Sequence, residues 1–323
     1  MYIGITNRFS IKFTDTTVST PTDLATVDLD QFRYNGRSGR TLKIKDLPTE
    51  LDDFYEDDAH YEQLLREQAH QIDELQQMMY AHNRYGLVVI FQAMDAAGKD
   101  GTILHVFSGV NPLGMRIHSY KRPNDNELDH DFMWRHLIDL PERGTIGVFN
   151  RSYYEEVLVV KVHPEILTKN QRLPEELTSN PDTVWKQRYE DIRNIERYLY
   201  RNGFRVVKFF LNVSFKEQSK RLLKRIERPA KNWKFDEQDV VERGFWKQYM
   251  QAYEEAINET ADGKAPWYVI PADDKKNMRL LVAKALVGEL QKLNLSFPDV
   301  SESRQQTLQH LKDVITQQDK DME

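Results

Sequence analysis

The sequence predicts an α/β protein built on a mostly parallel five-stranded sheet covered by helices on both faces. Two observations carry this. Short apolar runs rich in β-branched residues recur along the chain, and they alternate with segments of helical periodicity. The first run, Leu87-Val88-Val89-Ile90-Phe91, leads through small residues to Gly98-Lys99 and a helix-like stretch from Asp100 to His105. A buried strand, a tight loop and a helix in succession are the unit from which such sheets are made.

Residues 1–53 are polar and read as an N-terminal arm, with short strands expected near Ile11–Phe13 and Leu42–Ile44. Phe54 to Arg84 reads as a long helix, because Leu64, Leu65, Ile72, Leu75, Met78 and Met79 recur at helical spacing before Gly86. After the 87–91 strand come a second at Met115–Tyr120 and a helix from Glu127 to Leu140. A third strand spans Gly144–Phe149. Tyr153 to His163 has both helical and strand character, and three prolines mark 164–181 as loop-rich. A helix from Asp182 to Arg201 stops at Asn202-Gly203 and precedes a fourth strand, Arg205–Leu211. Ser214 is a good N-cap for a helix over Phe215–Glu227, which Pro229 breaks. A helix from Asp236 to Asn258, a fifth strand at Trp267–Pro271 and an amphipathic helix over Leu280–Leu293 complete the 54–298 unit. Residues 299–323 read as a frayed helix or tail.

The chain has no cysteine, which excludes disulfides, thiolate metal sites and cysteine nucleophiles. Its beginning, MYIGITNRFSIKF, lacks a secretion-signal core, and no apolar run approaches membrane-spanning length, so the cytoplasm is the expected location. A net charge of −6 does not advertise a polyanion partner. Yet Lys216 to Lys234 holds eight cations against two acids. A solvated helix face is the bland account of such a run. Its contrast with an acidic remainder, and the helix–break–helix form around Pro229, fit a flap that closes over phosphates.

Strand, small-residue loop, Gly-Lys and helix form the layout of a phosphate-binding P-loop. Backbone N–H groups at the helix start face a phosphate there, and the lysine adds a point charge. Ala93 stands where Gly is usual, and Asp100 where Ser or Thr is usual. Loops of this kind also join strands to helices with no ligand. Ligands of parallel sheets bind at the carboxyl ends of strands. Those ends carry Asp95 and Lys99, Lys121 and Arg122, and Asn150 and Arg151, so all three pairs are expected to converge on one cleft.

Six motifs in order resemble the polyphosphate kinase 2 family over Tyr61 to Pro298. They are Met94 to Thr102, Ser108 to Pro112, His130 to Arg135, Arg143 to Val160, Arg228 to Phe235 and Ala265 to Asp273. The branch most similar, often called class III, phosphorylates nucleoside monophosphates and diphosphates. The resemblance implies a thymidylate-kinase-like P-loop kinase, three-layer α/β/α, with a helical lid. It implies transfer of phosphate from inorganic polyphosphate to AMP and ADP, with Mg²⁺ as cofactor and a homo-oligomer as the assembly. The family's Walker A segment falls on Ala93–Lys99, its Walker B segment on Val148–Ser152 and its lid on about 220–235. Asn150 stands where other branches carry a Walker B Asp.

Roles follow for single residues. Asp95 is expected to hold Mg²⁺, Lys99 the phosphoryl group in flight and Arg151 the transferred phosphate, as a bidentate donor. Ala96, Ala97, Gly98, Asp100, Gly101, Thr102 and Asn150 are expected to line the phosphate site. Lys121 and Arg122 are assigned to the acceptor nucleotide, and Arg221, Arg225, Lys231 and Lys234 to polyphosphate under the lid. His118, His130 and His163 are read as structural. An ionised phosphate acceptor needs no strong general base, which argues against a phosphohistidine route. The rival readings are an ATP-dependent nucleoside monophosphate kinase and a non-catalytic P-loop protein that binds nucleotide or nucleic acid. Against the last, the basic segment offers only Trp233 and Phe235 as stacking platforms.

Overall fold

A computed structural model describes residues 22–36, 41–233 and 235–322, with Lys231 described by its backbone alone. The strand expected near Ile11–Phe13, the Lys231 side chain and Lys234 lie outside the described residues.

Five parallel strands form the centre: β2 (Gly86–Gln92), β3 (Met115–Ser119), β4 (Ile146–Asn150), β5 (Phe204–Asn212) and β6 (Trp267–Pro271). A sixth, β1 (Arg33–Tyr34), joins one edge antiparallel to β6, so among the described residues the sheet has six strands in the order β1-β6-β5-β2-β4-β3. That corrects the expected five. A two-residue polar strand leaves no apolar pattern to read. β2 is buried along its whole length between β4 and β5, in register Leu87↔Ile146 and Val88↔Val206. The chain leaves β2 for one side and returns to the other, so the strand order reverses there. Such a switch point opens a crevice at the strands' carboxyl ends.

The helix Asp58–His82 is capped by Asp57, whose Oδ1 accepts from the His60 amide at 2.8 Å, and it ends at left-handed Asn83. Tyr61, Leu65, Ala69, Ile72, Gln76 and Met79 form its buried stripe. It packs with Lys99–Val106 and Lys275–Gln291 on one face of the sheet, while Pro181–Arg201 and Trp246–Thr260 pack together on the other. Successive strand residues point to opposite faces. Accordingly the Tyr268 hydroxyl reaches Glu289 at 2.7 Å, and the Trp267 indole N–H reaches Thr260 at 3.0 Å.

Several local expectations change. Leu42–Ile44 is not a strand, because the Asn258 side chain takes both the amide and the carbonyl of Leu42 (2.8 and 3.1 Å). The helix expected over Glu127–Leu140 is two short turns, Asp125–Leu128 and Trp134–Leu137. Asp131 Oδ1 accepts from the Met133 amide between them, the local bond with which Asp competes against helix. Tyr153–Val157 is a 3₁₀ turn and Val159–Val162 a helical one. The Asp236–Asn258 helix breaks at Phe245 into Glu237–Gly244 and Trp246–Thr260. Lys275–Gln291 starts five residues earlier than expected, at the Asp274 cap, and is buried nearly all round rather than on one face. Glu302–Met322 is a helix with no buried residue. No helix among the described residues is long and apolar enough to cross a membrane.

Candidate active site

The site forms where β2 ends. Gly98, at φ +116°, turns the chain into the helix Lys99–Val106, a conformation L side chains rarely adopt. Ala96 also holds positive φ (64°), which for a non-glycine residue stores on the order of 1 kcal/mol of strain. Ala93 is not among the positive-φ residues, so the loop entry accepts its Cβ where Gly is usual. The Lys99 side chain is buried, and its Nζ donates to the Ala93 carbonyl at 2.7 Å. Burial and then the Arg151 charge lower its pKa, opposed by Asp95, Glu155 and Asp100.

Beyond the end of β4, Arg151 takes φ +66°, its amide still bonding the Phe91 carbonyl at 3.0 Å. That turn sends its guanidinium back over the P-loop. Nη2 donates to Asp95 Oδ1 at 2.9 Å, and Nη1 lies 3.7 Å from Glu155 Oε2. Glu155 raises the Arg151 pKa most, against burial and with help from Asp95. Burial in turn pushes the Glu155 carboxyl up, while Arg151 and Lys99 pull it down. The Gln92 amide, oriented to suit both neighbours, donates to Glu155 Oε1 at 2.8 Å and accepts from Ser152 Oγ at 3.1 Å. Asn150 Nδ2 donates to Asp100 Oδ1 at 2.7 Å, tying the two loops together. Thr102 turns its hydroxyl onto the Gly98 carbonyl at 3.0 Å.

Asp95, Lys99, Asp100, Asn150 and Arg151 are therefore brought together, with Ala96, Ala97, Gly98, Gly101 and Thr102 forming the loop and first helical turn. Lys121 and Arg122 are exposed and follow β3, two strands or about 10 Å across the sheet from β2. Arg221 is placed otherwise than expected. It is buried, and its guanidinium donates to the carbonyls of Ala96, Ala97, Ala272 and Asp273 (3.2, 2.5, 2.7 and 2.9 Å) and to Glu217 Oε1 (2.9 Å). It braces the P-loop against the loop after β6. Arg225 pairs with Asp239 at 3.0 Å. His118, His130 and His163 contact Asp139, the Asn126 carbonyl and Glu242.

Sequence reasoning missed Glu155, Gln92, Gln218 and Asp239. Gln218 Nε2 donates to the Asp95 carbonyl at 3.0 Å. Burial and the Asp95 charge push the Asp239 carboxyl up to about 6. Glu155 could have been found, since it lies four residues after Arg151. Asp239 carries no local signal.

Comparison with known proteins decides what this arrangement belongs to. The family described as Polyphosphate kinase 2 matches residues 55–298. The chain belongs to the polyphosphate kinase 2 family. It is 49% identical to an ADP-polyphosphate phosphotransferase of Rhodopseudomonas palustris, over 88% of this chain and 97% of that one. It is 42% identical to an AMP/ADP-polyphosphate phosphotransferase of Meiothermus ruber, over 70% and 80%. The crystal structure of polyphosphate kinase 2 from Arthrobacter aurescens superposes with a TM-score of 0.75 at 32% identity, covering 90% of this chain and 98% of that one. The P-loop kinase-like fold is thus the family's own.

Proposed function

We propose that this polyphosphate kinase 2 family member transfers phosphate reversibly between inorganic polyphosphate and adenine nucleotides, converting AMP to ADP and ADP to ATP. The carrying observation is the meeting of Lys99, Asp95 and Arg151 over a P-loop at the sheet's switch point. We take 54–298 as the catalytic unit, about 220–235 as its lid, 1–53 as an arm and 299–323 as a tail.

Phosphoryl transfer asks little covalent chemistry of a protein; positioning and charge neutralisation do most of it. The amides of Lys99, Asp100 and Gly101 open a helix and have no partner one turn back, so they face the incoming phosphate. In this reading Lys99 exchanges the Ala93 carbonyl for a phosphoryl oxygen. Arg151 is aimed by its left-handed backbone and by Glu155, and it clamps the same group. The acceptor oxygen is already ionised, so no side chain has to remove a proton.

Among the described residues no cluster of three or more His, Asp or Glu could hold a metal. Magnesium needs fewer, since one or two carboxylates suffice beside waters and substrate phosphates. Asp95 fits that donor set, and Mg²⁺ held there would neutralise charge on the phosphate oxygens. Arg225, Lys231 and Lys234 are assigned to the donor, with Arg221 as the brace of the P-loop, and Lys121 and Arg122 to the acceptor. Assembly as a homo-oligomer is part of the proposal and is checked by light scattering.

The test is incubation with AMP, Mg²⁺ and polyphosphate in the absence of ATP. ADP and then ATP should form. No product, or product only when ATP is supplied, rejects the proposal.

A further inference from the structure

One ion pair beside the site includes a carboxylate to which this chemistry gives no role. Arg225, on the helix Phe215–Glu227, donates from Nη1 to Asp239 Oδ2 at 3.0 Å. Asp239 sits on the next helix but one, Glu237–Gly244, after the chain has turned through Pro229–Asn232. The two side chains are 27% and 15% exposed, so the pair is mostly withdrawn from water. Asp239 also feels the charges of Asp95, Asp236 and Arg151. A mostly buried carboxylate thus carries the added influence of other acidic charges, in an enzyme that must accept a polyanion. Stability alone is a poor reason for that placement, because desolvation and like charge both oppose it.

The difference from Arg221 is informative. Arg221 is caged by main-chain carbonyls, which cannot leave without moving the loops. Arg225 is held by one flexible side chain from a separate helix. A guanidinium matches carboxylate and phosphate oxygens with the same planar fork, so one can replace the other.

We propose that Asp239 is an internal competitor for the anionic donor: its carboxylate holds Arg225 in the empty site and gives it up to a polyphosphate oxygen. The inference rests on the reading that Arg225 faces the donor. No covalent step is involved; one charge-assisted hydrogen bond is exchanged for another. Affinity for a partly masked site is reduced by the fraction that is masked, so the carboxylate weakens donor binding. It also shields Arg225 from anions carrying too little charge to displace it.

A mutant cycle tests this, with initial rates measured at varied polyphosphate and fixed AMP, then the reverse. Asp239→Asn should lower the polyphosphate KM about threefold or more and change the AMP KM less than about twofold. Arg225→Ala should raise the polyphosphate KM, and adding Asp239→Asn to it should then have no further effect. A thermal melt establishes that each variant is folded, and Asp239→Ser is a second neutral variant if the first is not. If Arg225→Ala raises the polyphosphate KM but neither neutral variant lowers it, Asp239 is merely structural and the proposal fails while the donor role of Arg225 stands. If Arg225→Ala leaves that KM unchanged, the donor role fails first and the proposal with it.

Discussion

Two charge networks belong to one sheet, one sealed against a face and one open at the strands' carboxyl ends. On the helical face opposite Lys275–Gln291, Lys208 of β5 directs its ammonium to Glu196 Oε2 (2.6 Å), the Thr260 carbonyl (3.0 Å) and the Tyr154 hydroxyl (3.2 Å). The Tyr153 and Tyr154 hydroxyls meet the other oxygen of Glu196 at 3.0 Å each. Both ions are fully buried and every donor of the ammonium is used. At the carboxyl end of β2 and β4, Lys99 has one carbonyl, and Asp95 shares Arg151 with Glu155. Here the backbone is bent at Ala96 and Arg151. The sealed network has nothing left to offer a ligand. The open one keeps lone pairs and cationic donors that only a further partner satisfies, and it holds strain that a purely structural cluster would not need. The two meet in sequence: Tyr153 and Tyr154 sit between Arg151 and Glu155, so the sealed network anchors the segment that aims the open one.

Breaking the sealed network should give the largest effect on stability. Glu196→Gln leaves the Lys208 charge buried with its counter-ion gone. Burial already pushes the Glu196 carboxyl up and the Lys208 ammonium down, each opposed by the other. A loss of about 3–5 kcal/mol is expected, a fall in Tm on the order of 10 °C. Turnover per folded molecule at 25 °C should fall less than tenfold, as a rough bound, since no substrate contact is removed. Abolished turnover with an unchanged Tm would mean that the sealed network is the reactive one.

Lys99→Ala reverses that pattern. The ammonium is desolvated and lies beside Arg151, so its loss should change stability by less than about 1 kcal/mol. Polyphosphate-dependent ATP formation should fall about 10²–10³-fold, the usual cost of deleting one transition-state donor. Luciferase-coupled rates and denaturant melts on one preparation separate the two effects.

Much of this contrast could be read in the sequence, and for a physical reason. Strands buried on both faces are largely apolar, so 87–91 and 267–271 declare themselves, and 205–211 does so despite Lys208, whose charge is answered only by the fold. Loops after such strands gather at one end of the sheet, which is why the meeting of Asp95, Lys99 and Arg151 could be expected from the sequence. Other residues depend on which surfaces the fold brings together. β1 finds β6 from more than 230 residues away, through Arg33↔Tyr268 and Tyr34↔Trp267. Arg221 and Arg225 share one helical cationic pattern, yet one is caged by carbonyls and the other paired with a movable carboxylate. A charge run cannot distinguish these fates.

His136 offers the smallest and most graded probe of the sealed side. It is 1% exposed among Tyr120, Phe149 and Tyr153, and neither ring nitrogen has a hydrogen-bond partner among the described residues. Burial, with the Arg135 charge adding to it, lowers its pKa from 6.5 to about 3. The folded value lies below the unfolded one, so between them the unfolded chain binds the extra proton. Its contribution is fully present above pH 6.5 and is lost as pH falls toward 3. At pH 5 the loss is about 2 kcal/mol. His136→Phe keeps an aromatic ring in the same apolar pocket and has no proton to bind. Urea melts between pH 7 and pH 5 should therefore show a shallower decline for the variant. Parallel declines would place the acid sensitivity away from His136, and not in Glu155 or Asp239, whose raised pKa values favour the folded state as pH falls. His136 and these two carboxylates thus pull stability in opposite directions as pH falls, and the difference in slope between wild type and His136→Phe isolates the histidine's share.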